Sequence, residues 1–395
     1  MDDGTRIPED VEVFLRAARA RDTFKCAELL KETPSLINSV EAGGFSALHF
    51  AAFNGDLEMI RILLEFKPNL ELRNYDNNTP LIMAAKGHQN SAIKLLVDAG
   101  AEVNLRTPTG GTAAHFAASM GYVDTVRCLV ELGADVMHEN SETGTLLHWA
   151  AHSGDINCIG EMIYGFKIPI NVKDAHGGTA LFTALFMKKF EAVEFLLEHG
   201  ADPRVMIEGD KSTPLHIAVE HANTECVKLL LVFGADPHVA NTSGETPTSL
   251  AEKAKNNSAL RELMKPMLSE EKRKEEAARF KAQGNKVFEG GENVKAAKFY
   301  TLAIHLDSTN HVFFSNRAAA YFNQRYYNGA YWDSLRCISL APDWPKGYFR
   351  KAATELAMKK ADEALQTCER GLRLDPKNKD LLTTKEEARR QRNKW

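Results

Sequence analysis

A chain of 395 residues, 44% hydrophobic and 26% charged, holds two or three domains with sizeable cores, and this composition excludes a disordered or collagen-like chain. Its net charge of -4 is unevenly divided: residues 1–270 carry 24 Lys+Arg against 37 Asp+Glu (-13), and residues 271–395 carry 25 against 16 (+9). An acidic module thus precedes a basic one, and the basic one is expected to prefer acidic partners.

The first residues, Met1 to Phe14, are acidic and lack a basic stretch followed by an apolar one, so no secretory signal is expected. No apolar run is long enough to span a bilayer. Six cysteines (Cys26, Cys128, Cys158, Cys226, Cys337, Cys368) are scattered without a C-x-x-C pair. That spacing suits reduced thiols in the cytoplasm better than a zinc site or a disulfide framework.

A threonine-led phrase then organises the chain. It begins at Ser46, Thr79, Thr112, Thr145, Thr179, Thr213 and Thr246, with successive starts 33, 33, 33, 34, 34 and 33 residues apart. Thr-Pro opens a short helix, where the fixed φ and missing N–H of proline cost nothing. Leucine and alanine then give small packing positions, and a second helix follows, for instance over Ala92 to Val97. Gly100, Gly133, Gly200 and Gly234 stop these second helices with left-handed caps. One such pair cannot bury its apolar face alone, so neighbours are expected to stack into a solenoid with a concave side. Recurring in phase, these residues resemble ankyrin repeats from about residue 10 to 265, with residues 10–38 a degenerate N-terminal cap and 246–264 a polar C-terminal one.

After Lys265 and Pro266 comes a charged stretch, Ser269 to Glu276, without an apolar stripe. It reads as a solvated linker or as an extended helix leading into the next module.

From Ala277 the chain divides into three 34-residue repeats, 277–310, 311–344 and 345–378. Small residues recur at the eighth position (Gly284, Ala318, Ala352) and at the twentieth (Ala296, Ala330, Ala364), and Pro342 and Pro376 close the second and third repeats. These repeats resemble tetratricopeptide (TPR) repeats, each a helix pair, with residues 379–395 as a solvating extra helix. The fold expected is all-α: an ankyrin-repeat domain over 1–265, a charged linker over 266–276 and a TPR domain over 277–395.

Five residues in the first helices of these repeats stand out: Lys281, Asn285, Asn316, Lys346 and Arg350. They occupy positions 5, 9, 6, 2 and 6 of their repeats. At about 100° of rotation per residue these positions fall within a single arc of about 100°. The apolar or small positions 4, 8 and 11 (Phe280, Gly284, Val287; Phe314, Ala318, Tyr321) fall on the opposite side. Stacked helices thus present three cations and two carboxamides from one face, a set that suits carboxylates. Lysine gives a mobile charge, arginine a planar fork of donors, and asparagine a donor without added charge. A peptide ending in aspartate offers two carboxylates close together.

The phrases Lys281 to Lys286, Ser315 to Tyr321 and Trp344 to Ala353 resemble the dicarboxylate clamp of the Hop/Sti1-type co-chaperones, and none of the five residues is substituted. The resemblance implies that the clamp holds the Glu-Glu-Val-Asp tail of Hsp90 or cytosolic Hsp70. Lys281, Asn285 and Asn316 would then hold the terminal carboxylate, and Lys346 and Arg350 the aspartate side chain and the residues just upstream. The choice between the two chaperones depends on apolar pockets for which Phe314, Tyr348 and Phe349 are candidates.

His49, His115, His148 and His216 recur one per repeat. In the ankyrin family that histidine bonds to loop backbone between repeats, so they read as structural rather than as catalytic residues or metal ligands. No catalytic motif stands in a suitable context, and no cofactor or metal is expected. Trp149 and Trp344 read as core or seam. The aromatics of the basic module (Phe299, Tyr300, Tyr321, Tyr326) sit mostly at packing positions rather than on a stacking platform, so nucleic acid is not an expected partner. The sequence therefore reads as an adaptor, not an enzyme, that docks a chaperone tail and takes a client or second partner on its ankyrin face. The alternative is a scaffold for another acidic C-terminus, with no chaperone role.

Overall fold

A computed structural model describes residues 8–137, 144–255, 257–263 and 268–393. Lys265, Pro266 and the first seven residues, named above, lie outside the described residues. Among the described residues the chain is helical, and its only β-type pairing is an isolated bridge between Val40 and Ser46.

The N-terminal pairs are α1 (Glu9–Arg19) with α2 (Thr23–Glu32), α3 (Ala47–Asn54) with α4 (Leu57–Glu65), and α5 (Pro80–Lys86) with α6 (Asn90–Asp98). Then come α7 (Ala113–Ser119) with α8 (Val123–Glu131), and α9 (Leu146–Ser153) with α10 (Ile156–Gly160), which runs into a π turn. Next are α11 (Ala180–Phe186), α12 (Phe190–Glu198), α13 (Pro214–Glu220), α14 (Thr224–Val232), α15 (Pro247–Lys253) and α16 (Asn257–Leu263). Seven longer helices follow: α17 (Glu270–Glu289), α18 (Asn293–Leu306), α19 (His311–Asn323) and α20 (Tyr327–Leu340). The last three are α21 (Pro345–Ala357), α22 (Ala361–Leu374) and α23 (Lys379–Arg392). None of the described helices is long and apolar enough to cross a membrane.

The helices form two compact units, Met1–Ala192 with Ile207–Gly209, and Val193–Met206 with Asp210–Trp395. This division follows packing rather than repeat type. The second unit contains the last ankyrin-type pairs as well as all the 34-residue repeats.

In the first unit the threonine-led phrase acts as a helix start. Ser46 is extended and caps α3 by accepting from the His49 N–H, and Thr79 caps α5 with Pro80 behind it. The phrase histidine supplies the other half of the cap. His49 Nδ1 accepts from the Ser46 N–H at 3.1 Å, and its Nε2–H donates to the Asn78 carbonyl, 29 residues on, at 3.0 Å. His148 repeats this with Thr145 N–H (3.1 Å) and the Gly178 carbonyl (3.2 Å). Burial pushes the pKa of both imidazoles down, so each stays neutral, with Nε2–H aimed at the next repeat. The stops also form as the sequence implies, with Gly100 at φ 104° and Gly133 at φ 100°. Trp149 packs edge-on against His115 and Phe116, with centroids 5.4 and 5.3 Å apart.

In the second unit His216 makes the same link, from the Thr213 N–H to the Glu245 carbonyl (3.1 Å each). The charged stretch is resolved in favour of the extended helix: residues 270–276 are the opening turns of α17, capped by Ser269, rather than a linker. Intrahelical pairs such as Lys274–Glu270 (2.6 Å) support these polar turns. The small residues of the 34-residue period lie in the seams between helices. Ala296, Ala330, Ala352 and Ala364 are fully buried, and Gly284 and Ala318 are buried with them. Trp344 packs over a core that includes Ala277, Ile304, Phe313 and Phe314. All six cysteines are buried free thiols, and burial pushes those of Cys26, Cys158 and Cys337 up to about 12, leaving them inert.

Candidate carboxylate-binding site

The site lies within the second unit and is built on α17, α19 and α21. A Cβ at Gly284 would lie 2.6 Å from Tyr300 Cε1, so only glycine lets the Tyr300 ring from α18 pack directly on α17. From that position the Tyr300 hydroxyl donates to Asn285 Oδ1 at 2.9 Å, and Asn316 Nδ2 from α19 donates to the same oxygen at 3.2 Å. Burial and nearby Glu289 push the Tyr300 phenol up to about 12, so the hydroxyl keeps its proton as a donor. With Oδ1 doubly engaged, Asn285 is left with its two N–H donors for a ligand.

Asn285, Asn316, Lys346 and Arg350 line one pocket of about 170 Å³, together with Phe288, Glu289, Tyr300 and Ala319. Lys281 is not in this lining. It stands one turn before Asn285 on α17, half-buried.

The pocket lining holds two cations, Lys346 and Arg350, against one carboxylate, Glu289. Among the described residues no carboxylate lies within ion-pair distance of Lys281, Lys346 or Arg350. Lys351, next to Arg350, is by contrast paired with Glu355 and bonded to Thr367 at 2.9 Å. Arg350 is half-buried, and its Nε is enclosed without a hydrogen-bond partner. That burial pushes the guanidinium pKa down, only partly opposed by Asp380. Arginine does not lose its proton in this range, so the shift marks a charge stripped of water and not yet compensated. Arg350 Cζ lies 5.4 Å from the Phe349 centroid and Lys346 Nζ 5.9 Å from that of Trp344. These contacts hold the heads without neutralising them.

Of the apolar candidates for upstream ligand residues, Phe314 is excluded. It is fully buried in the repeat core, so no ligand reaches it. Tyr348 and Phe349 are half-buried against Ala352, Cys368 and Leu381, and the Tyr348 hydroxyl donates to the Pro342 carbonyl at 2.8 Å.

Sequence reasoning missed a second constellation, centred on Arg317. The residue is 3% exposed, and all five N–H donors of its guanidinium are engaged. Nε and Nη2 donate to Asp333 at 2.9 and 2.8 Å, and Nη1 and Nη2 to Glu198 at 2.8 and 2.7 Å. Nη1 also donates to Thr301 Oγ1 at 2.8 Å. His305 Nε2 sits 3.1 Å from Glu198 and 3.2 Å from Glu194. Burial opposes charge on His305, but its bonds to Glu194 and Glu198 outweigh it and raise the imidazole to about 9. Burial alone would raise the Glu198 carboxyl; Arg317 and His305 hold it well below the usual carboxylate range. Asp333 shares the one guanidinium, and burial pushes it up to about 6. Glu194, Glu198 and His305 lie close enough to resemble metal ligands. In this structure His305 Nε2 lies within ion-pair distance of both carboxylates, so the three groups pair with one another.

An ankyrin-repeat family model matches residues 14–107, 48–140 and 115–207, and a second ankyrin-repeat model matches 190–251. The ankyrin repeat domain of human ASB11 is similar in structure, at a TM-score of 0.50 and 28% identity, covering 56% of this chain and 99% of that one. Over the TPR-bearing region the chain is similar to an Hsp70-Hsp90 organising protein of Plasmodium falciparum, 40% identical over 108 residues, 27% of this chain and 43% of that protein. Heat shock protein STI1 of Saccharomyces cerevisiae is 38% identical over 104 residues, 26% of this chain and 18% of that protein. Serine/threonine-protein phosphatase 5 of Rattus norvegicus is 36% identical over 104 residues, 26% of this chain and 21% of that protein. The match spans less than half the length of these curated relatives.

Proposed function

We propose that this chain, which belongs to the ankyrin-repeat family, is a cytoplasmic adaptor whose TPR repeats hold the acidic C-terminal tail of Hsp90 or Hsp70. The tail's two carboxylates lie among Asn285, Asn316, Lys346 and Arg350, with Lys281 closing over the end. The ankyrin repeats take a client or second partner, and no step of catalysis is assigned to either part. The reading rests above all on Arg350, a half-buried guanidinium with an unpartnered Nε, set beside a second unpaired cation and an asparagine whose free donors are fixed. Such a cluster keeps an excess of positive charge that an anion would offset. Support comes also from the relatives over this stretch, two of which are named for Hsp70 and Hsp90 organisation or for heat shock.

Calorimetric titration of the full chain with a peptide ending Glu-Glu-Val-Asp, as free acid and as C-terminal amide, tests it. The free acid should bind, more weakly as salt rises, and the amide should bind far less. Binding by a tail from either chaperone supports the adaptor role. Binding only by unrelated acidic C-termini would favour a scaffold with no chaperone role.

A further inference from the structure

Arg317 follows Asn316 directly, so whatever fixes one fixes the backbone of the other. Half of its anionic partnership comes from Glu198, 119 residues upstream in the last turn of α12, an ankyrin-type helix whose end belongs to the second unit. The neighbouring residues fasten the same seam. His199 stacks on Phe195 at 3.8 Å, and Phe195 meets Trp332 edge-on at 6.5 Å. Gly200 passes so close to Arg336 that a Cβ would lie 3.1 Å from its Nη2. Asn316, about 100° round α19 from Arg317, reaches Asn285 through a bond of 3.2 Å, at the long end of the ordinary range, so a roll of the helix lengthens it.

We propose that Glu198 is a positioning residue for the carboxylate site: by pairing with Arg317 it fixes the roll of α19 and so places the Asn316 amide. The inference rests on the reading of that pocket as a carboxylate site. If Glu198 is neutralised, Arg317 keeps Asp333 but faces its remaining donors toward an uncharged group in a dry seam. α19 then relaxes to restore solvation, and Asn316 moves off Asn285. The ankyrin repeats thereby act on peptide affinity without touching the peptide.

The full chain carries the test, as wild type and as Glu198→Gln, titrated with the free-acid Glu-Glu-Val-Asp peptide. The side-chain amide resonances of Asn316 and Asn285 are followed by NMR without peptide. Glu198→Gln should weaken binding about tenfold, and should have much less effect in an Asn316→Ala background, because its effect passes through that amide. The Asn316 resonance should shift in the absence of peptide. Should Glu198→Gln lose its helical signal, Glu198→Asp, which keeps the charge but withdraws it by one methylene, takes its place with a smaller expected loss. Unchanged affinity in the folded variant overturns the positioning role and leaves the carboxylate site standing. If wild type itself fails to bind, the carboxylate reading falls. The NMR arm then decides separately whether Glu198 sets Asn316, and an unmoved resonance refutes it.

Discussion

Asn316 Nδ2 donates to Asn285 Oδ1 from a helix 31 residues farther on, and with the Tyr300 hydroxyl on the same oxygen this fixes which end of the Asn285 amide meets the pocket. Asn285→Asp follows as the sharpest local change. It keeps an acceptor for Tyr300 and Asn316 but replaces the outward donors with a second carboxylate oxygen. Peptide affinity should fall by at least about 1.5–3 kcal/mol, the worth of a hydrogen bond to a charged group. Thermal unfolding should stay close to wild type, and calorimetry on the same samples reads both.

Arg350 separates function from stability. Its charge is partly desolvated and unpaired in the free chain, so Arg350→Met removes a cost while keeping the stem's packing. The midpoint of thermal unfolding should hold or rise, and peptide binding should drop by about 1.5–3 kcal/mol. A marked loss of stability would mean that the guanidinium has a structural partner after all.

Arg317 behaves in the opposite way. Removing it leaves Glu198 and Asp333, both buried, without their shared counter-ion. Arg317→Ala should cost about 3–5 kcal/mol in denaturant unfolding, as for one member of a buried pair. A fragment beginning at residue 270 keeps Arg317 but discards Glu198. It should be less stable than the same region in the full chain, and protease protection of α19 would show it.

His305 gives the pH dependence. It faces Glu194 and Glu198 on α12, with the Phe233 ring 5.6 Å away. Its folded pKa of about 9 lies above the ordinary imidazole value of 6.5, so the folded state binds the proton more tightly. The contribution is fully present below pH 6.5 and is lost as pH rises through 9; a shift of this size corresponds to roughly 3 kcal/mol. Stability should therefore decline between pH 7 and 9.5, and His305→Gln should flatten that part of the curve.

Much of the fold was legible because repetition carried it. The threonine phrases gave the helix starts, and the glycines at Gly100 and Gly133 gave the stops, since each residue acts within its own turn. The pocket was legible for a similar reason: helical period placed Asn285, Asn316, Lys346 and Arg350 on one face, and they line one cavity. Period alone also put Lys281 there, although its side chain is outside the lining. Phe314, a candidate for an apolar pocket, stands on the packing face and is fully buried in the core. Arg317 carried an unread signal. At the seventh position of its repeat it points to the packing side, and Lys351 repeats it 34 residues later, so a cation there must have buried partners. That Glu198 is one of them depends on a fold-back of 119 residues, which no local period records.

The proposed function requires this pocket to recognise a free carboxylate at a chain end. Titration of the full chain with the Glu-Glu-Val-Asp peptide, against the same peptide amidated at its C-terminus, tests that most directly. The free acid should bind in the micromolar range, and the amide should lose about 1.5–3 kcal/mol or more. Equal affinity for the two peptides would contradict the account.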